Sequence, residues 1–247
     1  MKISIITATF NSSATISDCI NSVNQQSYEN IEHIIIDGAS TDNTIEIINS
    51  IPNRIKMIIS EPDKGIYDAM NKGIELATGD IIGILNSDDF YIDNTALKKI
   101  VDIFKSKNID SLYTNLYIVA ATDTNKIIRK CRYCKFNPEL FKWGWHPPHP
   151  TFFVKKEVYQ KYGDFNINLD VSADFELLLR FLYKNKISTF FWDEFILKMR
   201  NGGESMGSIK KILLGNKNVI KAFNLNNIRI SKLYPFYRIL LKLKQYI

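Results

Sequence analysis

Over its first hundred residues the chain alternates short β-branched runs with segments whose apolar positions recur every three to four residues. Ile3–Thr9, Ile31–Ile36, Ile55–Ser60 and Asp80–Leu85 read as strands. Ala14–Gln25, Thr44–Ser50, Tyr67–Ala77 and Ala96–Lys107 read as the helices that follow them. Strands that alternate with helices predict an α/β fold: a mostly parallel sheet with helices on both faces. Ser12 and Ser13 stand where the first helix would be N-capped, and Gly79 stands just past the third.

The second half is less regular. Ser111–Ala120 and Lys126–Tyr133 read as extended, Trp143–Phe153 is rich in aromatics and prolines, and Phe175–Lys184 has a helical pattern. No internal repeat or low-complexity tract interrupts residues 1–204, which we expect to form one domain, with 205–247 as a separate basic helical segment.

Composition adds constraints. Hydrophobic residues make up 45% and charged residues 23%, the balance of an ordinary globular core. No run approaches the roughly 18 apolar residues of a membrane-spanning helix. The N-terminal stretch turns polar too early for a signal peptide and reads as the first strand. Three cysteines, Cys19, Cys131 and Cys134, do not make a disulfide framework, so a cytoplasmic location is expected. The net charge of +6 is unevenly placed: the first 204 residues carry 23 basic against 26 acidic groups, and the rest carry nine basic and none acidic. Such a tail suits a polyanionic surface.

In a parallel sheet, ligands gather beyond the carboxyl ends of the strands. The segments that fall there are Thr9-Phe10-Asn11-Ser12, Asp37-Gly38-Ala39-Ser40-Thr41-Asp42, Glu61-Pro62-Asp63-Lys64-Gly65 and Asn86-Ser87-Asp88-Asp89. Three of the four are acidic. Adjacent carboxylates after a buried strand suit Mg²⁺ or Mn²⁺, which leave coordination positions for diphosphate oxygens. The bland alternative for Asp88–Asp89 is a turn ahead of the next helix. Asp37 can accept from a base N–H or a ribose hydroxyl, while Asp42 suits an Asx-type turn. Asp174 opens a helix, where a carboxylate is favoured, as a general base requires. Neither a G-x-G-x-x-G turn nor a P-loop occurs, which weakens oxidoreductase and P-loop readings. Cys131-x-x-Cys134 ahead of His146-x-x-His149 is a poor zinc site, because Pro147 and Pro148 break the helix that a finger needs.

These segments together resemble the family-2 glycosyltransferases with the GT-A fold. The likeness runs from Ile3–Asn11 through Asp37–Asp42, Glu61–Gly73 and Asn86–Asp89 to His149–Phe153, Gly163–Phe165 and Ala173–Arg180, in the family's order. The resemblance implies a Rossmann-like GT-A domain that moves a sugar from a UDP- or GDP-linked donor, with inversion, using Mn²⁺ or Mg²⁺. It implies that Asp89 holds the metal, with Asp88 and His149 as further candidates. Thr7, Thr9, Asn11, Asp37, Asp63, Asn71 and Asp88 would meet the nucleotide-sugar, and Asp174 would be the base. Ala173 stands where the family usually has Glu. Trp145, His149, Arg180, Gly202 and Gly203 would serve the acceptor or a closing loop.

From Pro235 onward, Phe236, Ile239, Leu240, Leu243 and Ile247 share one helical face and Arg238, Lys242 and Gln245 another. This pattern fits a helix lying in a membrane interface, or one docked on the domain. We expect peripheral attachment to the anionic inner face of the cytoplasmic membrane, a lipid-linked glycan acceptor in bacterial surface-polysaccharide or lipopolysaccharide synthesis, and no nucleic-acid partner. The rival readings are a sugar nucleotidyltransferase and a nucleic-acid-binding protein acting through the tail.

Overall fold

The computed structural model describes residues 1–52, 54–169, 171–202, 209–231 and 233–238. Nine strands form one sheet: β1 (Ile3–Thr9), β2 (Ile31–Asp37), β3 (Ile55–Ser60), β4 (Ile81–Ile84), β5 (Phe90–Tyr91), β6 (Ser111–Val119), β7 (Ile127–Cys131), β8 (Phe153–Lys155) and β9 (Thr189–Arg200). The helices are α1 (Ile16–Asn24), α2 (Thr44–Ser50), α3 (Ile66–Leu76), α4 (Ala96–Ser106), α5 (Lys156–Tyr162), α6 (Ala173–Leu178) and α7 (Ile209–Leu225).

The first four strands pair in parallel, in the order β3-β2-β1-β4, with Thr9 opposite Asp37 and Ile6 opposite Ile84. All their carboxyl ends therefore open on one edge. The sheet continues through β8, antiparallel to β4, then β6, β9 and β5, with β6 and β9 parallel.

Alternation along the strands feeds two cores. Ile6, Ala8, Ile34 and Ile36 pack on one face with Met70 and Ile74 of α3 and with Phe175 and Phe181. Ile3, Ile5 and Ile35 pack on the other with Ile16 and Ile20 of α1 and Leu97 and Ile100 of α4. The expected helices on both faces follow from this two-sided burial.

Two expectations change. Ser12 and Ser13 do not cap α1: Thr15 holds that position, without a side-chain capping bond. The Ser12 hydroxyl instead meets that of Ser87 at 2.8 Å, tying the first strand's loop to the fourth's. The long strand β9 escaped the sequence pattern because Asp193-Glu194 interrupts its aromatic run. The pairing with β6 is irregular there, with Thr114 opposite Trp192 and Asn115 opposite Phe195, and the Asp193 carboxylate accepts from Asn115 Nδ2 at 2.7 Å.

The helical pattern over Phe175–Lys184 is present as α6 followed by a π-helical stretch, Leu179–Lys184. Beyond it, α7 and residues 233–238 fold back on this half: Val219, Phe223 and Tyr234 belong to the same core as Phe175.

Candidate active site

The carboxyl edge of the parallel strands carries a lattice of short polar bonds. Asp37, at the end of β2, is wholly buried. Its carboxylate accepts from Ser40 N at 2.9 Å, Ser40 Oγ at 2.5 Å and Ser60 Oγ at 2.6 Å. Asn11 adopts φ 47°, a left-handed conformation that Asn tolerates. Its side-chain oxygen accepts from Thr41 N at 2.8 Å, joining the first loop to the second. Asp42 makes the expected Asx-type turn with Thr44 N at 3.0 Å and also accepts from Ser13 N. A bond from the Thr44 hydroxyl at 2.5 Å, above all, and these backbone bonds lower its carboxyl pKa to about 2.

Asp63 turns back through Gly65 N at 2.8 Å, and its carboxylate lies over Gly38. A Cβ at Gly38 would fall 2.6 Å from Asp63 Oδ2 and 3.5 Å from the Phe10 ring. Phe10 is 60% exposed here. It is an exposed aromatic face at the carboxyl edge of the strands that the motif does not single out, although an aromatic between Thr9 and Asn11 was a signal.

Asp88 and Asp89 follow β4 on the same edge. Asp89 is fully buried; Oδ2 accepts from Asn86 Nδ2 at 3.0 Å, and Oδ1 is buried without a hydrogen-bond partner. Burial, and then the neighbouring Asp88 charge, hold the Asp89 carboxyl well above the usual carboxylate range. Burial also raises Asp88, while Arg200 opposes the shift. Arg200, at the end of β9, donates to the Asp88 carbonyl at 2.6 Å and to the Asp18 carboxylate of α1, and lies 5.1 Å from the Phe90 ring. It clamps the acidic loop from behind. Its signal was a lone arginine closing an apolar strand.

The donor chemistry of this pair fits a hard divalent cation: two adjacent carboxylates, one oxygen buried and unpartnered, and a charge that Asn86 and Arg200 offset only in part. Among the described residues no three His, Cys, Asp or Glu side chains converge as a metal cage. His149 is therefore not brought to the pair, and the cysteines and histidines of the zinc-like spacing form no such set.

Across the site, Asp174 lies in the first turn of α6, after Ser172 in a left-handed conformation at φ 76°. Asp174 Oδ1 accepts from Phe175 N at 2.8 Å and from the Tyr67 hydroxyl at 3.3 Å. Tyr67 stacks on Phe165, whose ring meets His149 edge-on. Burial lowers the His149 pKa and the Asp174 charge opposes that, so the ring is neutral at pH 7; its Nε2 is buried and unpartnered. Tyr67 was inside the quoted motif, but nothing local marked it as the partner of a residue 107 positions away.

Most of the other expected residues are engaged by groups of the fold itself. Thr7 points into the core, its hydroxyl 2.9 Å from His33 Nε2, because alternation along β1 turns it toward α1. Thr9 is likewise buried, with an unpartnered hydroxyl. Asn71 exchanges two bonds with the Phe165 backbone. Arg180 spends its guanidinium on Glu176 and on the carbonyls of Tyr162, Gly163 and Asp164, so it braces α6. Trp145 is tucked against Tyr113 and Tyr133, whereas Trp143 is 52% exposed. Gly202 is exposed with φ 107°, and Gly203 lies outside the described residues.

Comparisons with known proteins bear on the family and the fold. Over 188 residues the chain is 29% identical to the PGL/p-HBAD biosynthesis glycosyltransferase of Mycobacterium bovis (strain BCG / Pasteur 1173P2), spanning 72% of this chain and 68% of the relative. An uncharacterized glycosyltransferase of Mycobacterium tuberculosis (strain ATCC 25618 / H37Rv) is 29% identical over 180 residues, with the same coverage. S. aureus TarS 1-349, solved with UDP-GlcNAc, superimposes at TM-score 0.71 and 17% identity, covering all of this chain and 72% of TarS 1-349. Of a longer TarS chain, this one spans 43%. The mannosyltransferase PcManGT from Pyrobaculum calidifontis, solved with GDP-Man and Mn²⁺, gives TM-score 0.66 at 16% identity, covering 99% of this chain and 69% of PcManGT. At these identities the structural likeness establishes the GT-A fold. The family model described as Glycosyl transferase family 2 matches residues 4–164, and the chain belongs to that family of glycosyltransferases.

Proposed function

We propose that this enzyme transfers a hexosyl group from a UDP- or GDP-linked donor to a hydroxyl of a lipid-linked glycan, with inversion, in bacterial surface-polysaccharide synthesis. Asp89, with Asp88, would hold Mn²⁺ or Mg²⁺, and Asp174 would act as the base. The observation that carries the reading is Asp89: buried, one oxygen unpartnered, its charge opposed by burial and by Asp88. A fold spends stability on such a group where a ligand will neutralise it. Two structural neighbours bind UDP-GlcNAc, or GDP-Man with Mn²⁺, which supports a nucleotide-sugar donor here.

When bound, the cation would offset negative charge on the departing nucleoside diphosphate. The chain's own residues do the rest. Asp63, Gly38 and Phe10 frame one side of the nucleotide edge, and Asp37 fixes the loop that carries Gly38. Tyr67 holds Asp174 Oδ1, which leaves Oδ2 to take the proton of the attacking hydroxyl. One displacement needs no carboxylate nucleophile. The basic charge after residue 204 supports attachment at an anionic membrane face, and no helix among the described residues is long and apolar enough to cross a bilayer.

Thermal shift with a panel of nucleotide-sugars, each with and without Mn²⁺, identifies the donor. Transfer from that donor then tests the base: Asp174→Asn lowers kcat by roughly 10²–10⁴-fold with donor affinity retained. A variant that transfers at the wild-type rate would remove Asp174 from this role.

A further inference from the structure

The C-terminal segment is more than an appendage. Residues 233–238 form a short turn of helix whose inner side is built into the Asp174 half of the site. Tyr234 is buried and meets Phe223 edge-on at 5.1 Å; Phe223 in turn meets Phe175, the neighbour of Asp174, at 5.5 Å. Tyr237 packs on the exposed Trp143 at 4.9 Å. Gly144, at φ 93°, lets the two backbones touch, since a Cβ there would fall 2.8 Å from Arg238 Cα.

The Arg238 guanidinium donates to Asn216 Oδ1 at 2.7 Å, and a Cβ at Gly215, beside Asn216, would reach 3.8 Å from Oγ of Ser172, two residues before Asp174. Among the described residues this is Arg238's one hydrogen bond, and no carboxylate lies within ion-pair distance of it. Burial works against its charge, and the nearby Tyr234 and Asp174 work for it. The arrangement is a half-buried arginine, anchored by one N–H, with the rest of its fork uncommitted.

We propose that residues 233–238 form the acceptor wall of the site, and that Arg238 binds an anionic group of the acceptor, a phosphate or a carboxylate, while Trp143 offers a face to its sugar. This inference rests on Asp174 marking where the acceptor hydroxyl arrives. A guanidinium pairs with either oxyanion through two parallel N–H bonds, a geometry that lysine cannot copy. The lipid-linked acceptor proposed above would present a phosphate, whereas an acidic glycan would present a carboxylate.

The test uses the full chain with its donor site filled by nucleoside diphosphate and Mg²⁺. Butyl phosphate, inorganic phosphate and glucuronate are titrated in turn, and the arginine Nε–H signals are followed by NMR. We expect one arginine signal, missing in Arg238→Lys, to shift with at least one of these anions. The affinity should fall about 10–100-fold in Arg238→Ala, the range for losing a charge-assisted bidentate pair, and by less in Arg238→Lys. Butyl phosphate binding better than glucuronate assigns a phosphate headgroup, and the reverse assigns an acidic sugar. If Arg238→Ala does not fold, Arg238→Lys and Asn216→Ala carry the comparison. Equal binding by these variants and the wild type, or no anion binding to the wild type, overturns the proposal. Failure of the base assignment would be seen separately, as wild-type transfer by Asp174→Asn.

Discussion

Two buried carboxylates sit at opposite ends of the parallel strands and are treated in opposite ways. At the amino end, Glu32 accepts from Lys2, from Ser4 Oγ at 2.5 Å, from Thr78 N and Oγ1 at 2.5 and 2.8 Å, and from Gly79 N at 3.0 Å. Burial alone would raise its pKa, but these bonds outweigh it and bring the carboxyl down to about 2. At the carboxyl end, Asp89 has one side-chain donor, an unpartnered oxygen and a like charge next door, and its pKa goes up. Asp89 sits deeper than Glu32 and has fewer donors, so both depth and satisfaction separate the carboxylate whose charge the fold supports from the one whose charge it opposes.

Exchanging each carboxylate for its amide tests that contrast. The largest effect is expected at Asp89→Asn: metal-dependent nucleoside diphosphate affinity falls by about 100-fold or more, as for losing a buried charged contact of several kcal/mol. Calorimetry with and without Mn²⁺ reads it, and unchanged affinity would take Asp89 out of the site. Next is Glu32→Gln, which keeps one oxygen for Thr78 N and Gly79 N but sets an amide NH2 against the Lys2 ammonium and removes the charge, and should cost about 2–3 kcal/mol in denaturant unfolding, with nucleotide binding intact.

A pH series sharpens the same pair. Because the folded Glu32 pKa is depressed, its contribution is complete above about 4.5 and fades as the pH falls toward 2. Glu32→Gln should lack that acid-sensitive portion; parallel curves for the two proteins would show that the bonds contribute little. The smallest effect is a gain: ligand-free Asp89→Asn should unfold at or slightly above the wild-type temperature, since an opposed charge is gone. A clear drop in that temperature would mean that Asp89 has a structural partner after all.

Much of this was legible in the chain, for local reasons. β1, β3 and α2 match the expected spans, and β2, β4, α1, α3 and α4 differ from them by a residue or two at either end, because Ile-rich alternation and helical periodicity are properties of neighbours in sequence. The site's acidic loops were legible too, since each directly follows a strand. What stayed hidden depends on distant partners. Arg180 reads as a free cation until the carbonyls of Tyr162, Gly163 and Asp164 are seen around it. Asn71 reads as a ligand group until Phe165 takes both ends of its amide. Tyr67 and Arg238 gain their places beside Asp174 only through packing across the domain.

The clamp formed by Arg200 also orders events in time. Chains leave the ribosome amino end first, and β1 to β4 with their helices can assemble from the first hundred residues. The loop bearing Asp88 and Asp89 emerges with them, yet the groups that pin it, Arg200 and the β9 strand paired with Phe90 and Tyr91, follow about a hundred residues later. At synthesis rates of about 5–20 residues per second, that interval lasts several seconds. During it the nascent chain carries its acidic pair without the brace behind it, so the loop's final shape is set late in synthesis, when the long strand β9 slots in beside β6.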